Sequence, residues 1–174
     1  LRLYGAGADS GTFDYFTEAI VGKAKAIRTD YQPTEDDNVT IKGVAGDTYA
    51  MGFLGYAYYE ENKDKVKAVA IDHGKGCVLP SRETVLDGTY QPLSRPLFIY
   101  VNVKSLDRPE VQAFVDFYLS PAARRAIRST GYVELPSEAY RIGQELVKRR
   151  KAGTFFMELP AGTPLSKFIQ ELDK

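Results

Sequence analysis

The sequence predicts an α/β protein, because strand-like and helix-like segments alternate along the chain. Residues 1–4 alternate apolar and polar side chains as a strand does, and the apolar side chains from Phe13 onward follow at helical spacing. Residues 97–101 form a continuous apolar run that is typical of a buried strand. Residues 111–119 place apolar side chains at i, i+3, i+4, i+7 and i+8, which indicates an amphipathic helix. At 174 residues, the chain is long enough to bury a compact core of this class.

The first strand and helix meet at a glycine-rich junction that is typical of an anion-binding helix start. Gly5, Gly7 and Gly11 allow a tight turn and close approach to a ligand, and Ser10 is the natural N-cap. The first free N–H groups, at about residues 11–13, would then point outward with the positive end of the helix dipole. A small tetrahedral oxyanion fits such a site. The alternative is an ordinary capped helix in which Ser10 only satisfies unpaired backbone donors.

Further elements follow between the end of the first helix, expected near Gly22, and residue 93. The patterns predict a loop closed by Pro33, a helix start at the acidic cluster 35–37, a buried strand at 51–55, a helix at 56–62, a strand at 66–71 and a helix at 81–86. We expect the apolar run at 97–101 to form a buried strand. We expect Asp107 to cap the next helix, Ser120 to begin another that ends at Gly131, and Ser137 to cap a third.

Composition argues against several classes of function. The 23 basic and 23 acidic side chains cancel, and no basic stripe with interleaved aromatic residues occurs, so nucleic acid is not an expected partner. No apolar run approaches the roughly 18 residues that would cross a bilayer. The single Cys77 permits no internal disulfide, and the single His73 has no second ligand at the spacing of a metal site.

Catalysis is also not expected from the sequence. It contains no recognisable Ser/His/Asp set, no Cys/His pair and no cofactor fingerprint, and residues 74–76 lack the spacing of a phosphate-binding P-loop. We therefore predict a binding protein without catalytic residues, metal ligands or a cofactor.

Four separated stretches are specific enough to carry a family resemblance. They are DSGTFDYFTEAI at 9–20, EDDNV at 35–39, GFLGYAYYEEN at 52–62 and PLSRPLFIYVN at 92–102. In this order they resemble the substrate-binding proteins of ABC phosphate transporters, the periplasmic phosphate-binding proteins. The resemblance covers roughly residues 1 to 140 and implies a type II periplasmic-binding-protein fold, in which two α/β lobes are joined by crossing strands.

The resemblance also implies a domain arrangement. Residues 1–93 would form most of the second lobe, including the phosphate-binding helix start, and residues 94–174 would return to the first lobe and supply the C-terminal helices. Nothing in the chain corresponds to the N-terminal half of the first lobe or to a signal peptide, so we expect a fragment or a processed piece. Because an uncovered sheet edge pairs readily with another chain, self-association of the fragment is a further expectation.

The function implied by the resemblance is the binding of inorganic phosphate in a periplasmic or other extracytoplasmic compartment. The partner would be the membrane permease of an ABC transporter. The alternatives are a module of the same fold used for sensing or protein-protein interaction, or a receptor for another tetrahedral oxyanion.

The candidate phosphate-binding residues are Ser10, Gly11, Thr12 and Arg28. The first three match the phosphate-binding Ser-Gly-Thr of the family. Well-known members have an arginine four positions before that serine, where this chain has Ala6. We hypothesise that Arg28, from the loop after the first helix, supplies the planar guanidinium instead. The alternative is a site that relies on hydroxyl and backbone donors together with residues of the missing lobe.

Overall fold

The first part of the chain is built on a small parallel sheet. The structure is a computed structural model that describes residues 1–153, 159 and 162–172. Strand β1 (Arg2–Ala6) lies between β2 (Gln32–Thr34) and β3 (Ala50–Phe53) and is parallel to both. Strands β4 (Ile71–Asp72) and β5 (Cys77–Val78) form a separate antiparallel hairpin. The predicted α/β class is confirmed.

Eight helices accompany these strands within the described residues. They are α1 (Gly11–Val21), α2 (Asp37–Ala45), α3 (Tyr56–Glu61), α4 (Arg82–Leu86), α5 (Pro109–Tyr118), α6 (Pro121–Ser129), α7 (Ser137–Lys148) and α8 (Leu165–Leu172). A 3₁₀ turn at Val103–Asp107 precedes α5. None of the described helices is both long and apolar enough to span a membrane.

Helix α1 packs on the sheet through aromatic rings. The rings of Phe16 and Phe53 are stacked with their centroids 4.1 Å apart, and Phe13 is buried and lies parallel to Tyr31 at 6.4 Å. Aromatic side chains bury more area than any others, so these contacts hold α1 firmly against β3. The start of α1 is therefore anchored by core residues within its first two turns.

Both ends of α1 are as the sequence predicts. The Ser10 hydroxyl accepts a hydrogen bond from the Thr12 N–H at 3.1 Å, and Gly22 ends the helix with a φ of 77°. The acidic start of α2 is also present, where Asp36 accepts from the Asn38 N–H at 2.9 Å. Side-chain caps of this kind depend on neighbouring residues only, which is why the sequence reveals such helix ends.

Two predicted strands are wrong. Of residues 66–71, only Ile71 belongs to a strand, and residues 97–101 have no regular secondary structure. In that second segment Leu97 and Tyr100 are 60% and 74% exposed. Within the described residues no strand runs alongside 66–70 or 97–101, and only Ile71 is paired, opposite Val78 in β5. A strand cannot form its hydrogen bonds alone. An apolar run indicates a preference for burial, but it does not supply the partner that buries it.

Two predicted caps are also wrong. The N-cap of α5 is Arg108, which makes no side-chain capping bond, whereas Asp107 accepts a hydrogen bond from Arg150 at 2.7 Å. Helix α7 has Pro136 at its N-cap, and Ser137 is the first helical residue. Helices near the predicted bounds are present in both places. The predicted boundary between two lobes at residue 93 is not tested by the structure and stays a prediction.

Thr17 gives a stability prediction. Its side chain is 1% exposed, its hydroxyl donates to the Phe13 carbonyl at 2.9 Å, and it accepts the Lys25 N–H at 2.7 Å. Thr17→Val keeps the shape but leaves that N–H without its acceptor, so we expect the free energy of unfolding to fall by about 1–3 kcal/mol. Urea denaturation followed by circular dichroism measures it. Thr17→Ser, which keeps the hydroxyl, is the matched control, and a valine variant as stable as the original chain would contradict this account.

Candidate functional site

The candidate site lies at the edge of the sheet where the carboxyl ends of all three parallel strands meet. A helix begins after each of these strands, with Ser10, Asp36 and Gly55 at the three N-cap positions. Ligands of open α/β sheets bind at this kind of edge, because the helix starts direct their free N–H groups toward it. The predicted residues Ser10, Gly11 and Thr12 lie in the first of the three starts.

The backbone donors of that start are only partly free. The Thr12 N–H, predicted to face a ligand, donates to the Ser10 hydroxyl instead. The N–H groups of Gly11 and Phe13 have no hydrogen-bond acceptor within the part of the chain that the structure describes. Because a hydroxyl can donate and accept at once, Ser10 can cap the helix with its oxygen and still offer its proton to an anion.

Arg28 lies in the loop after α1, and its guanidinium is engaged by a neighbour. Its Nη2 and Nε donate to the two carboxylate oxygens of Asp30 at 2.6 and 2.8 Å, with both side chains exposed. This hydrogen-bonded pair lowers the pKa of Asp30 and raises that of Arg28. Arg28 and Thr12 both line an open cavity of about 1330 Å³. Its role as a phosphate ligand stays a prediction.

Acidic side chains surround the same edge. The Asp9 N–H lies 3.4 Å from a carboxylate oxygen of Glu35, and a methyl group on Gly7 would overlap that carboxylate. With a Cβ at position 7 the exposed Glu35 side chain would have to move, so Gly7 leaves room for this close approach of loop and side chain. Asp37 is half-buried, and burial raises its pKa against the opposing effect of a hydrogen bond from the Gly55 backbone. An anion bound here needs cationic groups to offset these carboxylates.

One cationic residue near the site was missed by the sequence analysis. A methyl group on Gly11 would lie 3.2 Å from Nη2 of Arg95, so the Arg95 guanidinium lies beside the first residue of α1. The two positions are 84 residues apart, and no periodicity connects them. The available signal is the stretch 92–102, which contains Arg95 and carries part of the resemblance to the phosphate-binding family. Within it the sequence predicts a strand at 97–101 and assigns no role to Arg95.

Two further polar residues that the sequence singles out, His73 and Cys77, do not form a metal site. His73 and Cys77 belong to the β4–β5 hairpin, where Cys77 is exposed. In the part of the chain that the structure describes, no three His, Cys, Asp or Glu side chains form a group that could hold a metal ion.

Comparisons with known proteins point in one direction. Residues 1–122 match the family described as the PBP superfamily domain. Protein SphX of Synechocystis is 50% identical across 96% of this chain. The phosphate-binding protein PstS of Staphylococcus haemolyticus is 36% identical across 81% of it. A crystal structure of a possible phosphate binding protein from Planctomyces limnophilus superposes with a TM-score of 0.71 and 43% identity over 87% of this chain.

These matches cover only part of the other proteins. The chain spans 51% of the SphX relative, 44% of the PstS relative and 54% of the Planctomyces chain. About half the length of each therefore has no counterpart in these 174 residues.

The Ser10 cap can be tested separately from any ligand. Ser10→Ala removes the acceptor of the Thr12 N–H, so we expect the free energy of unfolding to fall by about 0.5–2 kcal/mol. Ser10→Asp restores a capping oxygen and should recover the loss. Urea denaturation without phosphate measures both variants, and an alanine variant with unchanged stability would show that the cap contributes nothing.

Proposed function

Since the chain belongs to the PBP superfamily, we propose that it binds inorganic phosphate as the extracytoplasmic substrate-binding component of an ABC phosphate transporter. One observation carries the proposal. Ser10, Gly11 and Thr12 begin a core-anchored helix at the carboxyl edge of a parallel sheet, in a chain whose relatives include proteins named for phosphate binding. The family's phosphate-binding Ser-Gly-Thr matches this position.

The chemistry of the helix start supports an oxyanion ligand. The Gly11 N–H is unpaired among the described residues, and the hydroxyls of Ser10 and Thr12 can each donate one proton. Hydrogen bonds to a charged group contribute roughly 1.5–3 kcal/mol each when water is excluded. The positive end of the α1 dipole adds to their effect. The site is a binding site in this proposal, and no residue in it is assigned a catalytic role.

The rest of the proposal concerns the whole protein. Residues 1–93 belong to the second lobe and residues 94–174 to the return segment, with phosphate held between lobes. The membrane permease of the transporter is the protein partner, and the compartment is periplasmic or otherwise extracytoplasmic. Self-association is proposed for these 174 residues when they are produced alone, since residues 97–100 expose apolar side chains.

The direct test is isothermal titration calorimetry of the full-length protein with inorganic phosphate. We expect saturable binding that an excess of sulfate does not displace. Absence of phosphate binding would overturn the proposal, and equal affinities for phosphate and sulfate would favour the broader oxyanion receptor.

Ser10→Asp separates ligand binding from folding. The introduced carboxylate can cap α1, but in its ionised form it has no proton to donate and repels an anion. We therefore expect phosphate affinity to fall by at least about 10- to 100-fold, the equivalent of one lost hydrogen bond to a charged group, while the urea midpoint is retained. If Ser10→Asp left the affinity unchanged, phosphate would have to bind elsewhere, so this outcome counts against the site and not against the fold.

Arg28→Ala tests the predicted guanidinium. If Arg28 exchanges Asp30 for phosphate, its loss should weaken binding about tenfold or more, because an arginine–phosphate contact is a charge-assisted hydrogen bond. Calorimetry of the variant in the full-length protein measures the change, with Asp30→Asn as the matched control that frees Arg28 without removing it. Unchanged affinity in Arg28→Ala would remove Arg28 from the site.

A further inference from the structure

We propose that Arg95 supplies a guanidinium to the phosphate site at the start of α1, and that Tyr15 is the positioning residue that holds Arg95 there. The proposal rests on the proposed phosphate function and adds two residues to it. It addresses the absence of an arginine at position 6, where Ala6 has no charge to offer.

Proximity is the first support. The Nη2 atom of Arg95 would lie 3.2 Å from a methyl group on Gly11, so the guanidinium is in van der Waals reach of the residue whose N–H is unpaired among the described residues. A phosphate oxygen that accepts from the Gly11 N–H could accept from this guanidinium as well. The planar fork of arginine matches two phosphate oxygens at once, which a lysine cannot do.

Availability is the second support. Arg95 is exposed and makes no salt bridge or hydrogen bond within the described ranges of the chain. Its neighbour is the ring of Tyr15, with the Arg95 Cζ atom 5.1 Å from the ring centroid. A cation–π contact engages the face of the aromatic ring and uses up no hydrogen bond of the arginine, so the N–H groups of Arg95 are not committed to another acceptor among the described residues. Arg28, by contrast, directs two N–H groups at Asp30.

The backbone next to Arg95 is tied to α1 by the same tyrosine. The Tyr15 hydroxyl lies 2.7 Å from the Pro92 carbonyl oxygen and 3.1 Å from that of Ser94, to which it can donate, and it accepts the Gly162 N–H at 3.0 Å. Burial raises the pKa of Tyr15, so the hydroxyl stays protonated and able to donate at neutral pH.

Further bonds brace this short segment. The Ser94 hydroxyl donates to the Tyr90 carbonyl oxygen at 2.7 Å and accepts from the side-chain amide of Gln91 at 3.0 Å. Pro96, directly after Arg95, is buried. The main chain that carries Arg95 is therefore fixed against α1 before any ligand arrives, which lowers the entropy lost when phosphate binds.

The test is calorimetric titration of the full-length protein with inorganic phosphate. We expect Arg95→Ala to weaken binding about tenfold or more and Arg95→Lys to recover only part of the loss. Tyr15→Phe removes the hydroxyl and keeps the ring and every charge, and we expect it to weaken binding severalfold. Arg125→Ala, which removes an exposed arginine of α6 that does not line the cavity, is the control and should bind as the unmodified protein does.

A double variant separates positioning from a general effect on folding. If Tyr15 acts through Arg95, then Tyr15→Phe combined with Arg95→Ala should bind no more weakly than Arg95→Ala alone. Additive losses would mean that Tyr15 acts independently and would overturn its positioning role. Circular dichroism and urea midpoints establish that each variant is folded, and Arg95→Lys serves if the alanine variant is not.

The two proposals fail in different ways. If the unmodified protein does not bind phosphate, the proposed function fails and this inference fails with it. If the unmodified protein binds phosphate and Arg95→Ala binds it within about twofold of the same affinity, Arg95 is not part of the site, and the proposed function stands.

Discussion

The parallel pairing of β1 with both of its neighbours is the constraint on which the candidate site depends. Tyr4 is opposite Gln32 in β2 and Gly52 in β3, so the three strands run in one direction and end at one edge. Each strand is followed by a helix start, so the positive ends of three helices from separate parts of the chain lie along the same edge. Stacking of Phe16 on Phe53 then fixes the orientation of α1, whose first turn carries the candidate ligands.

The same constraint concentrates negative charge. Carboxylates are favourable at helix starts because they accept hydrogen bonds from unpaired N–H groups and interact with the positive end of the helix dipole. Three of them, Glu35, Asp36 and Asp37, lie at the start of α2. Burial is the largest cause of the raised pKa of Asp37, and the neighbouring carboxylates add to it. A phosphate at this edge experiences both attraction from the helix starts and repulsion from these side chains. Cationic side chains consequently have a larger influence on affinity here than at a neutral edge.

Short-range signals predict both ends of α1 and the start of α2 correctly, but the caps that they predict at Asp107 and Ser137 are wrong. The larger departures from the predictions occur where distant partners decide. The Ser10 cap, the acidic start of α2 and the ending of α1 at Gly22 depend on neighbours a few residues away, and all were predicted. The apolar character of residues 97–101 predicts a strand, but the structure has none there. A strand must pair with a second segment, and a local sequence pattern cannot identify that segment. The position of Arg95 beside Gly11 was missed for the same reason, because it is set by Tyr15 contacts across 77 to 79 residues.

Preorganisation distinguishes the two arginines near the site more clearly than charge does. Arg28 lies on an irregular loop, and the Nε–Nη2 edge of its guanidinium is bonded to Asp30, so binding an anion through that edge requires the exposed pair to open. Such a pair is weak, yet breaking it and ordering the freed side chain both oppose binding. Arg95 has no such partner to lose among the described residues, and its backbone is already bonded to α1 through Tyr15. If both arginines made the same contacts with phosphate, less of the interaction energy of Arg95 would be offset by breaking an ion pair and ordering the side chain. Arg95 would therefore contribute more to the affinity than Arg28.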